Sequence, residues 1–193
     1  TACVLGLELM RNVNGKTGAE YLGAATWRGH EALVCDYPWP HMFDLITREY
    51  DDRHGISDDH LVKIAEINFA NAKRNGMAQT RDWHFAAGSF SDDDALNPII
   101  EGRVRKLDCG QITDGAACII LASERVAKAH ATKLGRRLAD IPCIKGWGHR
   151  SAPISLDTKL AQSRGQDIIF PHAAQTMTGA LNRAGLRSVN EVE

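Results

Sequence analysis

The sequence has 193 residues, of which 44% are hydrophobic and 24% are charged, so it is long enough and apolar enough to fold around a core. Lys and Arg total 23 against 24 Asp and Glu, and the two signs are mixed along the chain, which argues against a dedicated nucleic-acid binder or a polybasic membrane protein. The longest apolar runs have the length of a strand and no basic-then-apolar leader opens the chain, so we expect a soluble protein without a membrane span.

The first predicted element is a strand. Ala2 to Leu9 forms a nearly continuous apolar run, which is typical of a strand buried on both faces. Because this run starts without a lead-in, we expect the chain to open inside a larger sheet. Residues 11–37 hold an Asn-Gly pair, several more glycines and few periodic apolar positions, which predicts an irregular connection over the surface.

Two amphipathic helices are predicted after this connection. The first begins near Pro38 and ends at Gly55, because the apolar residues between them fall at near-helical spacing. The second has Ser57 as its N-cap, acidic residues in its first turn and a cationic end before Gly76. Its apolar stripe consists of Leu61, Ile64, Ala65, Phe69 and Ala72. The sequence therefore predicts two consecutive helices joined by a short turn.

The segment after the helices changes character twice. Residues 79–97 are polar and interrupted, which predicts a loop with Trp83 and Phe85 as its apolar anchors. A short extended piece, residues 103–107, leads into residues 108–122. There an Asp-Gly turn precedes an apolar run, which predicts a second buried strand.

Ser123 is well placed to cap a helix directly after that strand. Residues 141–147 predict another strand, and residues 172–184 predict a helix that Gly185 closes. The small residues at the start of the second strand indicate close approach between backbones. A strand, a cap and a helix in succession make an α/β unit, so the order of elements predicts an α/β fold.

Two acidic clusters that each include a histidine flank the turn between the two helices, and they raise the question of a metal site. The clusters are Asp51, Asp52 and His54, then Asp58, Asp59 and His60. Their spacing matches no metal-binding motif, and acidic residues at helix starts ordinarily act as caps, so we expect a solvated turn and no metal. The sequence also contains no Walker loop, no Rossmann glycine triplet and no nucleophile elbow.

The cysteines are Cys3, Cys35, Cys109, Cys118 and Cys143, with no Cys-x-x-Cys pair, which fits a reducing compartment. Cys3 and Cys118 lie in the apolar runs of predicted strands, so we expect buried, protonated thiols that act as small hydrophobic side chains. Cys109 precedes the Asp-Gly turn, which favours a structural role. The neighbouring sequence assigns no role to Cys35 or Cys143.

Several short segments carry a resemblance to a known family. They are Gly6-Leu7-Glu8-Leu9-Met10, His41-Met42, Asn71-Ala72-Lys73-Arg74-Asn75, the string Gln111-Ile112-Thr113-Asp114-Gly115-Ala116-Ala117, and Ala184-Gly185-Leu186 followed by Asn190 to Glu193. In this order they resemble the thiolase superfamily and are most similar to the lipid-transfer-protein (sterol-carrier-type) thiolases. The resemblance covers nearly the whole chain, and the Gln111 to Ala117 string is its most specific part.

The resemblance implies a thiolase-like layered α-β-α-β-α fold that this chain contains incompletely. According to the resemblance, residues 1–122 are the end of the N-terminal half, with the loop domain at about 11–102. Residues 123–193 are then a helix and the start of the C-terminal half. The family's nucleophilic Cys lies upstream of this segment, and its His-bearing and Cys-x-Gly-Gly-Gly motifs lie downstream. The resemblance therefore implies no catalytic residue in this chain.

The activity implied for the complete protein is acyl transfer, by thiolysis of a 3-ketoacyl-CoA or by Claisen condensation through an acyl-Cys intermediate. Coenzyme A is a substrate in this chemistry, and no cofactor is bound permanently. One alternative is a retro-aldolase that acts on a sterol side-chain-CoA together with an OB-fold partner protein. Another is a non-catalytic thiolase-fold scaffold or lipid-binding subunit. Whether the 193 residues alone have activity is left open.

Five residues are candidates for substrate contact by this resemblance. His41 and Met42 match the His-Met pair with which the loop domain of biosynthetic thiolases approaches the acyl group; the alternative is that Met42 begins the buried stripe of the helix and His41 caps it. Gly146, Trp147 and His149 follow a predicted strand at its C-terminal end, where α/β sheets commonly place ligands. In thiolases the matching loop lies along the pantetheine arm of CoA; the alternative is a purely structural Trp147.

Two departures from the family leave the substrate preference open. Gly110 stands where the lipid-transfer type usually has Ser, and Gly76 stands where it usually has Pro after Asn. The resemblance also implies a homodimer or tetramer in lipid metabolism, located in the cytoplasm, or in peroxisomes in a eukaryote. We expect this segment by itself to expose apolar sheet edges and to associate.

Overall fold

The computed structural model of the chain describes residues 1–192, and Glu193, the last residue of the segments that carry the resemblance, lies outside the described residues. In chain order the elements are β1 (Ala2–Glu8), α1 (Gly15–Gly23), α2 (Pro38–His54), α3 (Asp58–Arg74), β2 (Ile99–Glu101), β3 (Val104–Arg105), β4 (Gly115–Leu121), α4 (Glu124–Lys133), α5 (Leu156–Gln162) and α6 (Pro171–Ala184). Helices and two small antiparallel sheets, without a closed barrel among these residues, confirm the predicted α/β class and are consistent with an incomplete α/β fold.

The chain divides into two compact units. Unit 1 consists of Thr1–Asn12, Thr113–Ala152 and the segment from Phe170 onward, whereas unit 2 consists of Val13–Ile112 and Pro153–Ile169. The division of residues 1–122 and 123–193 between two thiolase halves stays a prediction. No helix within residues 1–192 combines the length and the apolar character needed to cross a bilayer.

Unit 1 contains a two-stranded sheet in which β1 pairs antiparallel with β4. Both strands were predicted and are confirmed, but the expectation that they are buried on both faces is wrong. Every residue of β1 and β4 is exposed, and Leu7 and Ile120 keep 66% and 68% of their surface open to solvent. The reason is that the described residues place no further strand beside this pair and no layer over either of its faces.

The helix α1 in unit 2 lies within the region that the sequence analysis treated as irregular. The side chain of Asn14 accepts a hydrogen bond from the backbone N–H of Thr17 at 3.0 Å and so caps the helix. A Cβ atom on Gly23 would stand 2.7 Å from Cγ of Pro38, so the end of α1 packs directly against the start of α2. Glycine here permits close packing of two helices. The sequence analysis had instead taken the glycines of this region as a sign of an irregular connection.

The two long helices of unit 2 are confirmed. Pro38 occupies the first turn of α2, and Gly55 ends that helix with a φ of +76°, a backbone conformation that favours glycine. Ser57 precedes α3, as predicted. The stripe of α3 is only partly covered, because Ala65 is buried while Ile64 stays 56% exposed.

Residues 79–97 form the loop that the sequence predicts. Its anchors are confirmed, because the ring of Phe69 in α3 lies 6.3 Å from that of Trp83 and 4.6 Å from that of Phe85. Phe90 completes the cluster at 5.0 Å from Phe85. Aromatic contacts at these distances hold the loop on the helix.

The predicted strand at residues 141–147 is wrong. Residues 142–150 have no regular secondary structure and run alongside α6, so their backbone is not part of either sheet. The helix that was predicted after them is confirmed as α6, and Gly185 closes it with a φ of +73°. A short helix, α5, also lies between these two segments, where the sequence analysis predicted no element, and the side chain of Ser155 caps it.

Candidate functional site

His41 and Met42 lie in the first turns of α2, in unit 2. Tyr37 is the N-cap residue, and the backbone N–H of His41 donates to the Tyr37 carbonyl at 3.0 Å, as in any helical turn. The idea that His41 caps the helix is therefore wrong. Met42 is buried with 8% of its surface exposed, whereas His41 is half-buried. Substrate contact by either residue stays a prediction.

The start of α2 is held by a carboxylate that is distant in sequence. Glu101 in β2 accepts hydrogen bonds through one oxygen from the backbone N–H groups of Asp36 and Tyr37, at 2.9 and 3.0 Å. Tyr37 has no side-chain cap of its own, so Glu101 supplies both the acceptor and the negative charge that a helix N-terminus favours. The sequence analysis missed Glu101 because 64 residues separate it from Tyr37 and only the tertiary fold brings them together.

The turn between β2 and β3 is pressed against α2 at Asp44. This carboxylate is 2% exposed, accepts the backbone N–H of Arg103 at 2.7 Å and forms an ion pair with Arg48 at 2.8 Å. Gly102 has a φ of +54°, and a Cβ atom there would stand 2.1 Å from the Asp44 Cγ. Only glycine fits this position, because it combines left-handed backbone with direct contact to a buried side chain.

The acidic clusters around the α2–α3 turn bind an arginine. The guanidinium of Arg103 donates to Asp51 at 2.5 Å and to Asp58 at 2.9 Å, and Asp51 also accepts the backbone N–H of Ile56 at 2.7 Å. The Ile56 hydrogen bond, and then Arg103, lower the pKa of Asp51 from its ordinary value. The part of the chain that the structure describes contains no group of three or more His, Cys, Asp or Glu side chains that could hold a metal ion.

In unit 1, the segment that contains Gly146, Trp147 and His149 lies on the backbone of α6. A Cβ atom on Gly146 would stand 2.2 Å from the carbonyl oxygen of Ala180, and one on Gly148 would stand 1.8 Å from that of Thr176. Any side chain at either position would hold the segment away from the helix. The sequence analysis singled out Gly146 but not Gly148, although a Gly-x-Gly alternation is a signal of close backbone approach.

Trp147 lies between these two glycines, and its side chain projects into solvent with 65% of its surface exposed. The guanidinium of Arg183 in α6 lies 5.2 Å from the centroid of the indole ring and donates to the Trp147 carbonyl at 2.6 Å. His149 is also exposed. The sequence analysis missed Arg183, because a cationic residue in the last turn of a helix is common and nothing in the sequence pairs it with Trp147.

The structure therefore places the five predicted contact residues in two groups, one in each unit. His41 and Met42 belong to unit 2, and Gly146, Trp147 and His149 belong to unit 1. The groups also differ in character. The unit 2 pair lies on a helix with one of its side chains in the core, whereas the unit 1 group lies on an irregular segment that displays a large aromatic surface.

The cysteines fall into two classes by exposure. Cys35 and Cys109 are half-buried, and burial is the main cause that raises the pKa of each thiol, so both are protonated at neutral pH. Cys3, Cys118 and Cys143 are exposed. The expectation that Cys3 and Cys118 are buried is wrong for the same reason as for their strands: nothing in the described residues covers the β1–β4 pair.

Comparison with known proteins finds a distant relative of this chain. No family model matches the chain. Acetyl-CoA acetyltransferase from Methanothermobacter thermautotrophicus (strain Delta H) is 25% identical over 126 residues, which are 65% of this chain and 30% of that protein. The matched region thus spans about a third of the relative's length. This similarity supports a thiolase-like relationship and, at the level of the family only, a thiolase-like acyltransferase.

Proposed function

We propose that this chain is the part of a thiolase-like acyl-CoA acyltransferase that contains the loop domain and the segments on either side of it. The observation that carries the proposal is the similarity to an acetyl-CoA acetyltransferase over 126 residues. The α/β class of the structure is consistent with it. The exposed faces of β1 and β4 also agree, because the strands of an incomplete layered fold would lack their covering layers.

In the proposed reaction a cysteine thiolate of the complete enzyme attacks the keto carbonyl of a 3-ketoacyl-CoA. The bond between the α and β carbons breaks, the shortened acyl group stays on the cysteine, and acetyl-CoA leaves after protonation of its carbanion. The thiolate of free CoA then takes the acyl group and regenerates the enzyme. The nucleophile and the acid-base groups lie outside this chain in the proposal, and the half-buried, protonated thiols of Cys35 and Cys109 suit structural roles.

The proposed role of the unit 2 pair is to approach the acyl group. His41 is the half-exposed member, so its imidazole is the side chain that a substrate can reach, while Met42 is buried in unit 2. Glu101 and the Gly102 turn support this pair indirectly, because they fix the start and the middle of α2. We therefore treat them as positioning residues.

The proposed role of the unit 1 group is to contact coenzyme A. Trp147 offers an exposed indole whose position is set on both sides by glycines packed on α6. Because Arg183 also holds the Trp147 carbonyl, the ring is presented on a backbone that is fixed before ligand binds. Pre-organised aromatic surface binds a ligand with a small entropy cost, which suits contact with the apolar and planar parts of CoA.

The test of the activity is thiolysis of a 3-ketoacyl-CoA by the complete protein that contains this chain. CoA-dependent loss of the ketoacyl-CoA, with trapping of an acylated cysteine outside residues 1–193, supports the proposal. Cleavage without free CoA, or with release of an aldehyde or ketone, favours a retro-aldolase. Absence of turnover together with CoA binding favours a scaffold, and either result overturns the acyltransferase.

The test of the unit 1 contact is the substitution Trp147→Ala in that complete protein. We expect the KM for CoA to rise about tenfold, which corresponds to about 1.4 kcal/mol of lost binding, with a smaller change in kcat. Trp27→Ala is the matched control, because Trp27 is also partly exposed, at 40%, but lies in unit 2 with its ring 4.1 Å from that of His30. Equal KM values for the two variants would show that Trp147 does not contact CoA, and they would leave the proposed acyltransferase activity unaffected.

A further inference from the structure

Two Asn-Gly pairs occur in the sequence, and both lie in unit 2. They are Asn14-Gly15 at the start of α1 and Asn75-Gly76 directly after α3. Asparagine before glycine is chemically reactive, because the backbone nitrogen of the glycine can attack the side-chain amide and the missing Cβ leaves that approach open. Both asparagines are exposed, so a difference in their reactivity has to come from the backbone that holds each of them.

The backbone at Asn14 belongs to the start of a helix. The side-chain Oδ1 of Asn14 accepts the backbone N–H of Thr17 at 3.0 Å, and its carbonyl accepts that of Gly18 at 2.9 Å. Attack by the Gly15 nitrogen requires Asn14 to turn both its side chain and its backbone. The reaction therefore breaks the cap and the first turn of α1, which opposes it.

The backbone at Asn75 lies past the end of a helix. Asn75 is the C-cap residue of α3, with a φ of −91° and a ψ of 109°, and its Oδ1 accepts the backbone N–H of Met77 at 3.0 Å. The ring that this hydrogen bond closes contains both Cγ of Asn75 and the nitrogen of Gly76, which are the atoms that have to join. Rotation of the Asn75 carbonyl costs the turn hydrogen bond from Ala78, at 3.1 Å, and leaves the bonds of α3 intact.

A cation lies beside the same turn. Nη1 of Arg81 donates to the Gly76 carbonyl at 3.1 Å. The attacking nitrogen has to lose its proton and the side-chain oxygen gains negative charge, so a neighbouring guanidinium lowers the energy of the transition state. Asp82 pairs with Nε of the same guanidinium at 3.5 Å, which weakens this effect without removing the contact.

We propose that the Asn75-Gly76 turn is a site of spontaneous deamidation and isomerisation, and that its helix protects Asn14 from the same reaction. The proposal does not depend on the acyltransferase reaction. Water is the one reagent that comes from outside, because the nucleophile and the electrophile belong to consecutive residues.

The chemistry balances in two steps without oxidation or reduction. The deprotonated nitrogen of Gly76 attacks Cγ of Asn75, a C–N bond forms, the bond from Cγ to the amide nitrogen breaks, and ammonia leaves with the proton. The product is a cyclic succinimide. Water then opens this ring at one of its two carbonyls. Opening at Cγ gives aspartate, and opening at the main-chain carbonyl gives isoaspartate.

Either product changes the end of α3. A carboxylate replaces a neutral amide beside the last helical carbonyls, where the helix dipole is already negative. Isoaspartate also leads the main chain through the side chain and lengthens it by one carbon. The loop that follows is held on α3 by the rings of Trp83 and Phe85 against Phe69. We therefore expect hydrogen exchange to accelerate in the last turn of α3 and in this loop.

The experiment ages the complete protein that contains this chain at mildly alkaline pH and follows the peptides that contain Asn75 and Asn14 by mass spectrometry. Digestion in heavy-oxygen water marks any deamidation that occurs after unfolding. We expect Asn75 to be converted about tenfold faster than Asn14, because loss of a helix cap alone corresponds to about that factor. In urea the two should be converted at similar rates, since glycine follows both.

Gly76→Pro is the variant that removes the nucleophile, because proline has no N–H. The N–H of Gly76 donates no hydrogen bond within residues 1–192, and Gly76 has no positive φ. The extended backbone of Asn75 is also the conformation that a residue before proline adopts. The variant should therefore fold, as circular dichroism would show, and its Asn75 should stay intact. Gly76→Ala should slow the reaction, whereas Gly15→Ala should leave the rate at Asn75 unchanged.

Three outcomes would overturn the proposal. One is conversion of Asn75 no faster than that of Asn14 in the folded protein, which would also result if the rest of the complete protein held this turn rigid. Another is the same ratio of rates in urea, which would mean that the folded backbone is not its cause. The third is undiminished conversion of Asn75 in Gly76→Pro, which would mean that water attacks the amide directly.

Discussion

Unit 2 and unit 1 use different kinds of contact to hold the residues that we predict to contact substrate. Unit 2 buries apolar side chains such as Met42 and Ala65. It also buries polar side chains, because Asp44 and Ser163 are only 2% and 0% exposed. Of the unit 1 residues that the structure describes, Ala131 alone is buried, and both strands are open to solvent. A unit with so little buried surface has little hydrophobic stabilisation of its own.

This difference indicates which contacts stabilise each unit and which hold its candidate residues in place. In unit 2 a few long-range polar contacts fix the helices, such as the Arg53 guanidinium, which donates to the Ser163 and Gln166 carbonyls, each at 2.9 Å. In unit 1 the irregular segment at residues 142–150 is held by backbone contact with α6 through glycines and by Arg183. The same kind of substitution should therefore have a global effect in unit 2 and a local effect in unit 1.

The largest effect is expected for Gly102→Ala in unit 2. The new Cβ atom would overlap the buried Asp44 carboxylate, and the φ of +54° disfavours any side chain. We expect the free energy of unfolding to fall by more than about 3 kcal/mol in a urea titration. Hydrogen exchange should accelerate throughout α2 and α3.

Gly110→Ala is the control for that change. Gly110 has open space around its Cβ position and no positive φ, so the substitution should be close to neutral. A Gly102→Ala protein as stable as the Gly110→Ala protein would show that the β2–β3 turn does not clamp α2, and the comparison between the units would lose its main support.

Gly148→Ala is the corresponding change in unit 1 and should have a smaller, local effect. Its Cβ would stand 1.8 Å from the Thr176 carbonyl oxygen, so the segment has to leave α6. We expect about 1–3 kcal/mol of lost stability and altered Trp147 fluorescence as the Arg183 contact is lost, while the exchange of α2 stays unchanged. Accelerated exchange in α2 would contradict the assignment of this contact to unit 1 alone.

Asp51→Asn tests the polar clamp of unit 2 through its pH dependence. The pKa of Asp51 is below its ordinary value of 3.8, chiefly because the Ile56 N–H donates to it and then because of Arg103. A carboxylate with a lowered pKa stabilises the fold fully above its ordinary value, and this stabilisation is lost as the pH falls through the folded-state value. The variant should be less stable than the natural protein at pH 7, and the difference should shrink in urea titrations toward pH 2.

Asp52→Asn is the matched control because it removes the same charge one residue away, at an exposed position of α2. At pH 7 it should differ from the natural protein by less than Asp51→Asn does. A constant deficit for Asp51→Asn across the acid range would mean that its carboxylate charge is not what stabilises the turn.

The smallest effect, and the one of opposite sign, is expected for Ala32→Gly. Ala32 is buried in unit 2 with a φ of +52°, which costs an L-residue with a side chain about 1 kcal/mol. Relief of this cost should exceed the extra backbone entropy of glycine and stabilise the protein by about 0.5 kcal/mol. Ala70→Gly, in the exposed part of α3, should instead destabilise it by about 1 kcal/mol, and the two thermal unfolding midpoints should move in opposite directions.

Local patterns predicted most of the regular elements. The periodicity of α2, α3 and α6, and the glycines that end two of them, are properties of neighbouring residues, and all three helices are confirmed. The wrong strand has a tertiary cause. The residues at 141–147 are as apolar as a strand requires, but a strand also needs a partner, and the described chain offers this segment a helix.

The candidate site shows the same limit. The sequence could name His41, Met42, Gly146, Trp147 and His149 through a family resemblance, and their contact with substrate stays a prediction. It could not name Glu101 or Arg183, because each acts on a residue far away in the chain: Glu101 on the start of α2 and Arg183 on Trp147.

By itself, the sequence determined the α/β class, the principal helices and the likeness to thiolases, since composition, periodicity and short motifs are local properties. Only the tertiary structure decided which charges share a unit: the signs are mixed along the chain, but unit 1 has an excess of Lys and Arg and unit 2 an excess of Asp and Glu. It also decided that Cys3 meets Cys118 and that Gly148 touches α6. Such contacts join residues tens to more than a hundred positions apart, and they exist only when the whole chain has folded.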